Sequence, residues 1–410
     1  MKRNFFLALV LILFSLFIMG TSCNKNNPPE KEYINIGLLL PLTGDLGGDD
    51  QYMGNAARLA VSEINDAGGL FDKEIKLIYK DSGTDSAKSA TAAIKIIAEK
   101  NIIAIIGGDA SSEALAIAPI AISNNIVQIA PGATSPEYSS LDDNNYCWRT
   151  PPSDAFQGKA LAKYLKTRYT TAGIIYVDNS YGKGLKNSFK NEFECRSREV
   201  LTEIAFPENP GVEYSFKTLI DSVLSFNPDV VFVIAYYKSG ATIINTLTTE
   251  GHSTENWYAS EALKNNDFIT ESGNSANGLR GVSPLISRGK SANFFKLNFI
   301  NKYGEQTFDA LWGGYTYDAM ALLGLAIKKA EETTPNSIKN ALSEISNPPG
   351  DTIYAGEWEK AFNIIDKGGD INYQGASGNI DFDENGDVTD TKFEIWEIQN
   401  GEYFHIEDIK

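Results

Sequence analysis

Histidine, cysteine and basic charge are all scarce in this chain. Only two histidines and three cysteines occur among 410 residues. His252 and His405 stand far from every glycine-rich loop, so no Ser-His-Asp or Cys-His set can be assembled around them. No pair of side chains has metal-ligand spacing either. Hydrolytic chemistry is thus unsupported, an enzyme is not expected, and neither cofactor nor metal is called for. Lysine and arginine number 36 against 53 aspartates and glutamates, giving a net charge of −17. With no basic stripe to neutralise phosphates, nucleic acid is excluded as a partner. The chain shows no short-period repeat and no long low-complexity tract.

The first apolar run, 5–19, follows Lys2 and Arg3 and is shorter than the roughly 20 residues that span a bilayer comfortably. It reads as an export signal occupying 1–22. Gly20 to Cys23, GTSC, resembles a bacterial lipoprotein processing site, although Gly20 stands where such sites usually carry leucine. The resemblance implies acylation of Cys23, followed by a polar tether over 23–32. The expected location is the periplasm or cell surface, with the membrane reached through the lipid anchor only. In that oxidising compartment Cys147 and Cys195 could pair, and burial as two free thiols fits the sequence equally.

The informative stretch is 102–136. Two short apolar runs, 102–106 and 126–130, are each followed at once by small polar residues. Between them 111–123 carries Leu115, Ala118 and Ile122 at helical spacing. Apolar runs without polar alternation suit parallel strands covered on both faces. Ligands of open parallel sheets bind beyond the carboxyl ends of the strands, where GGDASS and PGATSP would lie side by side. Ser111 or Ser112 can cap the following helix, whose free amides favour a carboxylate. Thr134 offers a hydroxyl, and the Gly132 and Ala133 carbonyls suit an ammonium. The pair of rims suggests a zwitterion, and ordinary loop-and-cap residues would look the same.

The rest of the chain repeats the alternation. Strands are expected at 33–40 and 75–80 with helices at 55–66 and 87–99, then a break over 138–152, then a second series from 155 to 259. Helices near 292–303, 312–330 and 337–345 return to the first unit, and 372–409 is all turns and strands. The fold class is therefore α/β, two doubly wound parallel-sheet lobes joined by a three-segment hinge. Lobe 1 is placed at 33–150 plus 283–370, and lobe 2 at 151–282 plus 371–410, the latter including the final crossover.

IGLLLPLTGDLGGDDQYMGNAARLAVSEINDAGG, GGDASS, APGATSP, VDNSYGKGL and GASGNIDFDENGDV, in this order and spacing, resemble the branched-chain amino-acid binding proteins of ABC importers. These are periplasmic binding proteins of type I topology, and the likeness covers roughly 33–400. It implies a monomer that closes two lobes over a small ligand, presents the closed form to a membrane permease and performs no chemistry. It also implies that Ser111, with Ser112 beside it, holds the ligand α-carboxylate. Thr134 and the Ala133 carbonyl would hold the α-ammonium, Tyr181 would close on the ligand from lobe 2, and Glu261 would pair with the ammonium. The ligand side chain would meet Tyr236 or Tyr237 and Trp312, for which a core contact is the competing reading. Where branched-chain binders carry an aromatic residue in the first loop, this chain has GGDD, with Asp49 nearest that position. That departure puts leucine, isoleucine and valine in doubt and leaves an amino acid or close analogue as the ligand class. The same scaffold would equally serve a sensory receptor, or a binder of urea, amides or aromatic acids.

Two motifs are discounted. DFDENGD at 381–387 imitates the start of a calcium loop, but its twelfth position is Lys392 where a bidentate glutamate is needed, and Asn385-Gly386 reads better as a hairpin turn. YGKGLKNS has the residue types of a phosphate loop without the leading glycine, since Val177 stands there.

Overall fold

The structure is a computed structural model, which describes residues 31–389 and 392–410. The export segment 1–22, Cys23 and all but the end of the tether lie outside the described residues. Among the described residues no helix is long and apolar enough to cross a membrane.

The first sheet takes β1 (Tyr33–Leu40), β2 (Glu74–Asp81), β3 (Ala104–Gly107), β4 (Val127–Ala130) and β5 (Cys147–Arg149) in the order β2-β1-β3-β4-β5. The pairings of β1 with β3, β3 with β4 and β4 with β5 are parallel. Every residue of β3 and β4 is buried, as unalternating strands covered on both faces require. The one polar side chain among them, Gln128, donates to the Gly107 and Ala114 carbonyls at 2.8 and 3.1 Å. Helices α1 (Met53–Asp66), α2 (Ser86–Lys100) and α3 (Ser111–Ser123) make the crossovers. Asp85 caps α2 by accepting from the Lys88 amide at 2.7 Å, and Asn101, left-handed at φ 47°, ends it.

The chain then enters a second lobe through α4 (Asp154–Leu165), β6 (Thr171–Val177), α5 (Ser180–Phe193), β7 (Glu199–Phe206), α6 (Phe216–Leu224), β8 (Val230–Ile234), α7 (Tyr237–Thr249), β9 (Trp257–Ala259), α8 (Asn266–Ser272) and β10 (Arg280–Pro284). It returns with α9 (Lys290–Tyr303), α10 (Trp312–Ala330), α11 (Pro335–Ser346), β11 (Asp351–Tyr354), α12 (Trp358–Ile365) and β12 (Ile371–Gln374). A last crossing leads to β13 (Phe393–Gln399) and β14 (Glu402–Ile409), an antiparallel hairpin on the edge of the second sheet. That sheet runs β14-β13-β10-β9-β8-β6-β7. In each sheet the strand order reverses once, between β1 and β3 and between β6 and β8, and the crevices there face the ligand side.

Two boundaries differ from the sequence expectation. Residues 371–388, placed there in lobe 2, pack in the first core through Ile371, Tyr373, Ile380, Phe382 and Val388. The reason is β-pairing and polar anchoring: β12 lies parallel to β11, and the Tyr373 hydroxyl donates to buried Asp318 at 2.9 Å. At the second crossing, Val282 is buried in the second core and Pro284 pairs with Phe393, while Ile286 packs on the first. The first return to lobe 1 thus falls just after Pro284. Cys147 is buried, Cys195 is exposed, and both are free thiols. The DFDENGD segment forms a tight turn, with Phe382 bridged to Val388 and Gly386 at φ 71°.

Candidate functional site: the cleft between the lobes

The first-lobe rim is built by the turns after β3 and β4. Ser111 and Ser112 do not cap α3. Glu113 satisfies that end instead, its Oε2 accepting from the Asp109 and Ala110 amides at 3.2 Å each. Ser111 Oγ, freed from capping, accepts from the Thr134 and Ser135 amides at 3.1 and 3.0 Å and so ties GGDASS to PGATSP. Gly132 is required where the two turns meet, since a Cβ there would stand 2.3 Å from the Asp109 carbonyl oxygen. Arg149, wholly buried, clamps the second turn from below. It pairs bidentately with Asp387 at 2.6 and 2.8 Å and donates to the Ser135 carbonyl at 2.8 Å. The Ala133 carbonyl faces the same guanidinium at 3.4 Å, so it is engaged by Arg149 where the sequence expectation offered it to the ammonium.

The second-lobe rim comes from the ends of β6, β8 and β9. Asn179 caps α5 by accepting from the Gly182 amide at 2.9 Å, and its amide nitrogen donates to the Tyr236 hydroxyl at 2.9 Å. Tyr236 stacks on Tyr181, ring centroids 5.5 Å apart and 14° from parallel. Glu261, 1% exposed, follows β9 and accepts from the Gln157 side-chain amide. Burial pushes its carboxyl up to about 7. Asp154, also buried, is driven well above the ordinary range by burial first and by the Glu261 charge second. The Tyr181 and Thr134 hydroxyls are buried, Tyr181 beside the Glu261 carboxyl and Thr134 beside the Asp154 carboxyl, and neither makes a well-aligned hydrogen bond among the described residues.

These rims close on a narrow cavity of about 20 Å³. Seven of the ten predicted ligand contacts line that one cavity: Asp49, Ser111, Thr134 and Trp312 from the first lobe, and Tyr181, Tyr236 and Glu261 from the second. Ser112 and Tyr237 are turned away from it, because each bridges the lobes. Ser112 donates to Glu208 at 2.7 Å, and the Tyr237 hydroxyl donates to the Gly47 carbonyl at 2.8 Å. Further bridges hold the lobes together, including the Ser239 amide to Asp45 at 3.1 Å and Lys238 to the Gly44 and Gly47 carbonyls at 2.8 Å each. The arrangement is the closed one.

Sequence reasoning missed Asp109 and Asn265, which also line the cavity. Asp109 stands inside the GGDASS motif and was readable there as a third polar group. Asn265, at the end of a lobe-2 loop, gave no signal. A larger hollow of about 440 Å³ opens beside Pro152, Pro284 and Ile286, and gathers no comparable set of buried polar groups without a well-formed hydrogen bond among the described residues.

A family model described as "Receptor family ligand binding region" matches residues 52–401. The chain is 25% identical over 363 residues to the chemotactic signal transduction system substrate-binding protein BasB of Halobacterium salinarum, covering 85% of this chain and 83% of that one. Among solved structures, a leucine binding protein, LivK, from Thermotoga maritima superposes with a TM-score of 0.76 at 24% identity, covering 92% of this chain and 98% of that one. A solute binding protein from R. palustris in complex with benzoate superposes at 0.75 and 17% identity, covering 92% and 96%. The two solved structures share this fold, and their names record different ligands, leucine and benzoate.

Proposed function

The chain belongs to the receptor family ligand binding region, with the fold of type I periplasmic binding proteins, and from that premise we propose that it is the exported, lipid-anchored solute-binding protein of an ABC importer, capturing an amino acid or close analogue between its lobes. The observation that carries the reading is Glu261. A buried carboxylate that shares its cavity with the hydroxyls of Tyr181 and Thr134 suits an ammonium, which needs three acceptors. The Ser111 hydroxyl, whose oxygen accepts two amides and whose proton is left to donate, suits the α-carboxylate. The protein binds and releases its ligand unchanged, and delivery to a permease partner follows from closure.

Calorimetric titration with the twenty amino acids, urea, short amides and benzoate tests this. Binding of an amino acid is expected. Binding of amine-free acids alone would leave Glu261 without its role and refute the ligand class. A sensory partner in place of a permease is the second reading, favoured by the chemotactic relative BasB. Uptake of the labelled ligand by cells with and without the gene separates the two, since a sensor leaves uptake unchanged.

A further inference from the structure

The zwitterion reading accounts for Glu261 and Ser111. Two further acids line the same cavity. Asp49 and Asp109, 2% and 5% exposed, line the same space from the turns after β1 and β3. Asp49 accepts from the Tyr52 hydroxyl at 2.6 Å, and Tyr52 in turn accepts from the Asn265 amide at 2.8 Å, so lobe 2 helps to fix Asp49. Asp109 Oδ2 is buried and meets no N–H or hydroxyl donor among the described residues, and the Asp109 carboxyl interacts with that of Asp49. Asp309 stands behind the pair, held by the Trp312 amide at 2.6 Å, and adds its own charge. Among the described residues no lysine or arginine lines the cavity. The nearby buried cations are committed elsewhere, Arg149 to Asp387 and Lys264 to Glu394.

An aliphatic amino acid closed into this space would press methyl groups against two buried carboxylates and bring a further carboxylate of its own. That leaves the polar groups without a partner, a heavy penalty in a water-excluded site. Resting on the zwitterion reading above, we infer that the ligand is a basic amino acid, whose side-chain ammonium or guanidinium is received by Asp49 and Asp109 while its α-ammonium faces Glu261. The Asp109 oxygen that meets no donor supplies the acceptor for the side-chain cation, as the Tyr181 and Thr134 hydroxyls do for the α-ammonium. Burial raises both acids, Asp49 to about 7 with the Asp309 and Asp267 charges adding to it and Asp109 well above its ordinary value with the Asp49 charge adding to it, so the pair retains a proton that an incoming cation displaces. The residue that breaks the branched-chain pattern in the first loop thus becomes the one that selects the ligand.

Titration of the protein with lysine, ornithine, arginine and leucine decides the matter, with Asp109→Asn and Asp49→Asn run alongside. The basic amino acids are expected to bind at least about tenfold more tightly than leucine. Asp109→Asn should weaken them by about 30-fold or more while changing leucine by roughly threefold or less. Leucine binding as tightly as every basic amino acid overturns this inference and leaves the zwitterion reading intact. Failure of every amino acid to bind overturns both. Should either variant fail to fold, the ranking measured on the unaltered protein still decides.

Discussion

Glu261→Gln keeps the shape of the side chain and its contact with Gln157 and removes only the charge. The carboxylate is 1% exposed, so the ammonium it meets is shielded from water on all sides. Breaking such a pair from one side costs about 2 to 4 kcal/mol. At about 1.4 kcal/mol per decade that is roughly a 30- to 700-fold rise in Kd. The ligand-free protein should respond in the opposite sense, because Glu261 and Asp154 repel each other in a buried setting and the substitution removes that repulsion. Thermal melting therefore separates the two effects. At a ligand concentration 100 times the original Kd, the unaltered protein gains about 2.7 kcal/mol, while a variant weakened 100-fold retains about 0.4 kcal/mol. The assay pairs calorimetric titration at pH 7.5 with melting curves recorded with and without ligand. An unchanged Kd in a variant that melts normally removes Glu261 from the site. A variant that melts lower without ligand and binds normally assigns Glu261 to structure alone.

The buried acids predict a pH dependence of definite sign. Glu261 and Asp49 sit near 7 when folded, above their ordinary values of 4.5 and 3.8, so between those limits the folded chain keeps protons that the unfolded chain has lost. Stability of the ligand-free protein should then fall as pH rises through that window, while ligand affinity rises because the acceptors ionise. Melting curves and titrations from pH 5 to 8 check both, and a ligand-free Tm that climbs towards pH 7.5 contradicts the assignment. Asp387→Ala leaves Arg149 buried without its counter-ion and should cost about 3 to 5 kcal/mol in urea unfolding. A loss no larger than that of a surface substitution would show that the pair is not closed to water. Native alkylation followed by peptide mapping should modify Cys195, whose thiol is exposed and lowered by the Ser197 amide, and spare Cys147, whose thiol burial raises. Protection of Cys195 under native conditions would contradict its exposure.

The alternation of strands and helices was legible because parallel strands buried on both faces write themselves as short unbroken apolar runs. AIIG and VVFVI in β3 and β8 are buried throughout, and no competing pattern fits them. The assignment of 371–388 was not legible for the converse reason. Its strand is four residues long, and what holds it to lobe 1 is a set of polar contacts across long sequence distances, Tyr373 to Asp318 and Arg149 to Asp387. Such pairs leave no periodicity. Ser112 and Tyr237 show the same limit inside the site. Each sits one position from a residue that faces the ligand, and only the geometry of closure decides which neighbour turns inward and which bridges the lobes.

Closure and charge are coupled in this cleft. The bridges from Ser112, Asp45, Tyr237 and Lys238 draw the lobes together, and each contributes about 0.5 to 1.5 kcal/mol when formed. The same movement carries Asp49, Asp109, Asp154 and Glu261 out of water, which burial opposes by pushing every one of them upward in pKa. The bridges favour closing and the carboxylates oppose it. A ligand that brings positive charge removes the opposition without touching the bridges, so its differential affinity for the closed form is what sets the position of the equilibrium. Neutralising one of the acids by substitution should do part of the ligand's work, and Asp109→Asn is accordingly expected to shift the ligand-free protein towards the closed, more compact form in small-angle scattering. An unchanged radius of gyration in that variant would mean that the bridges alone determine closure and that the acids serve recognition only.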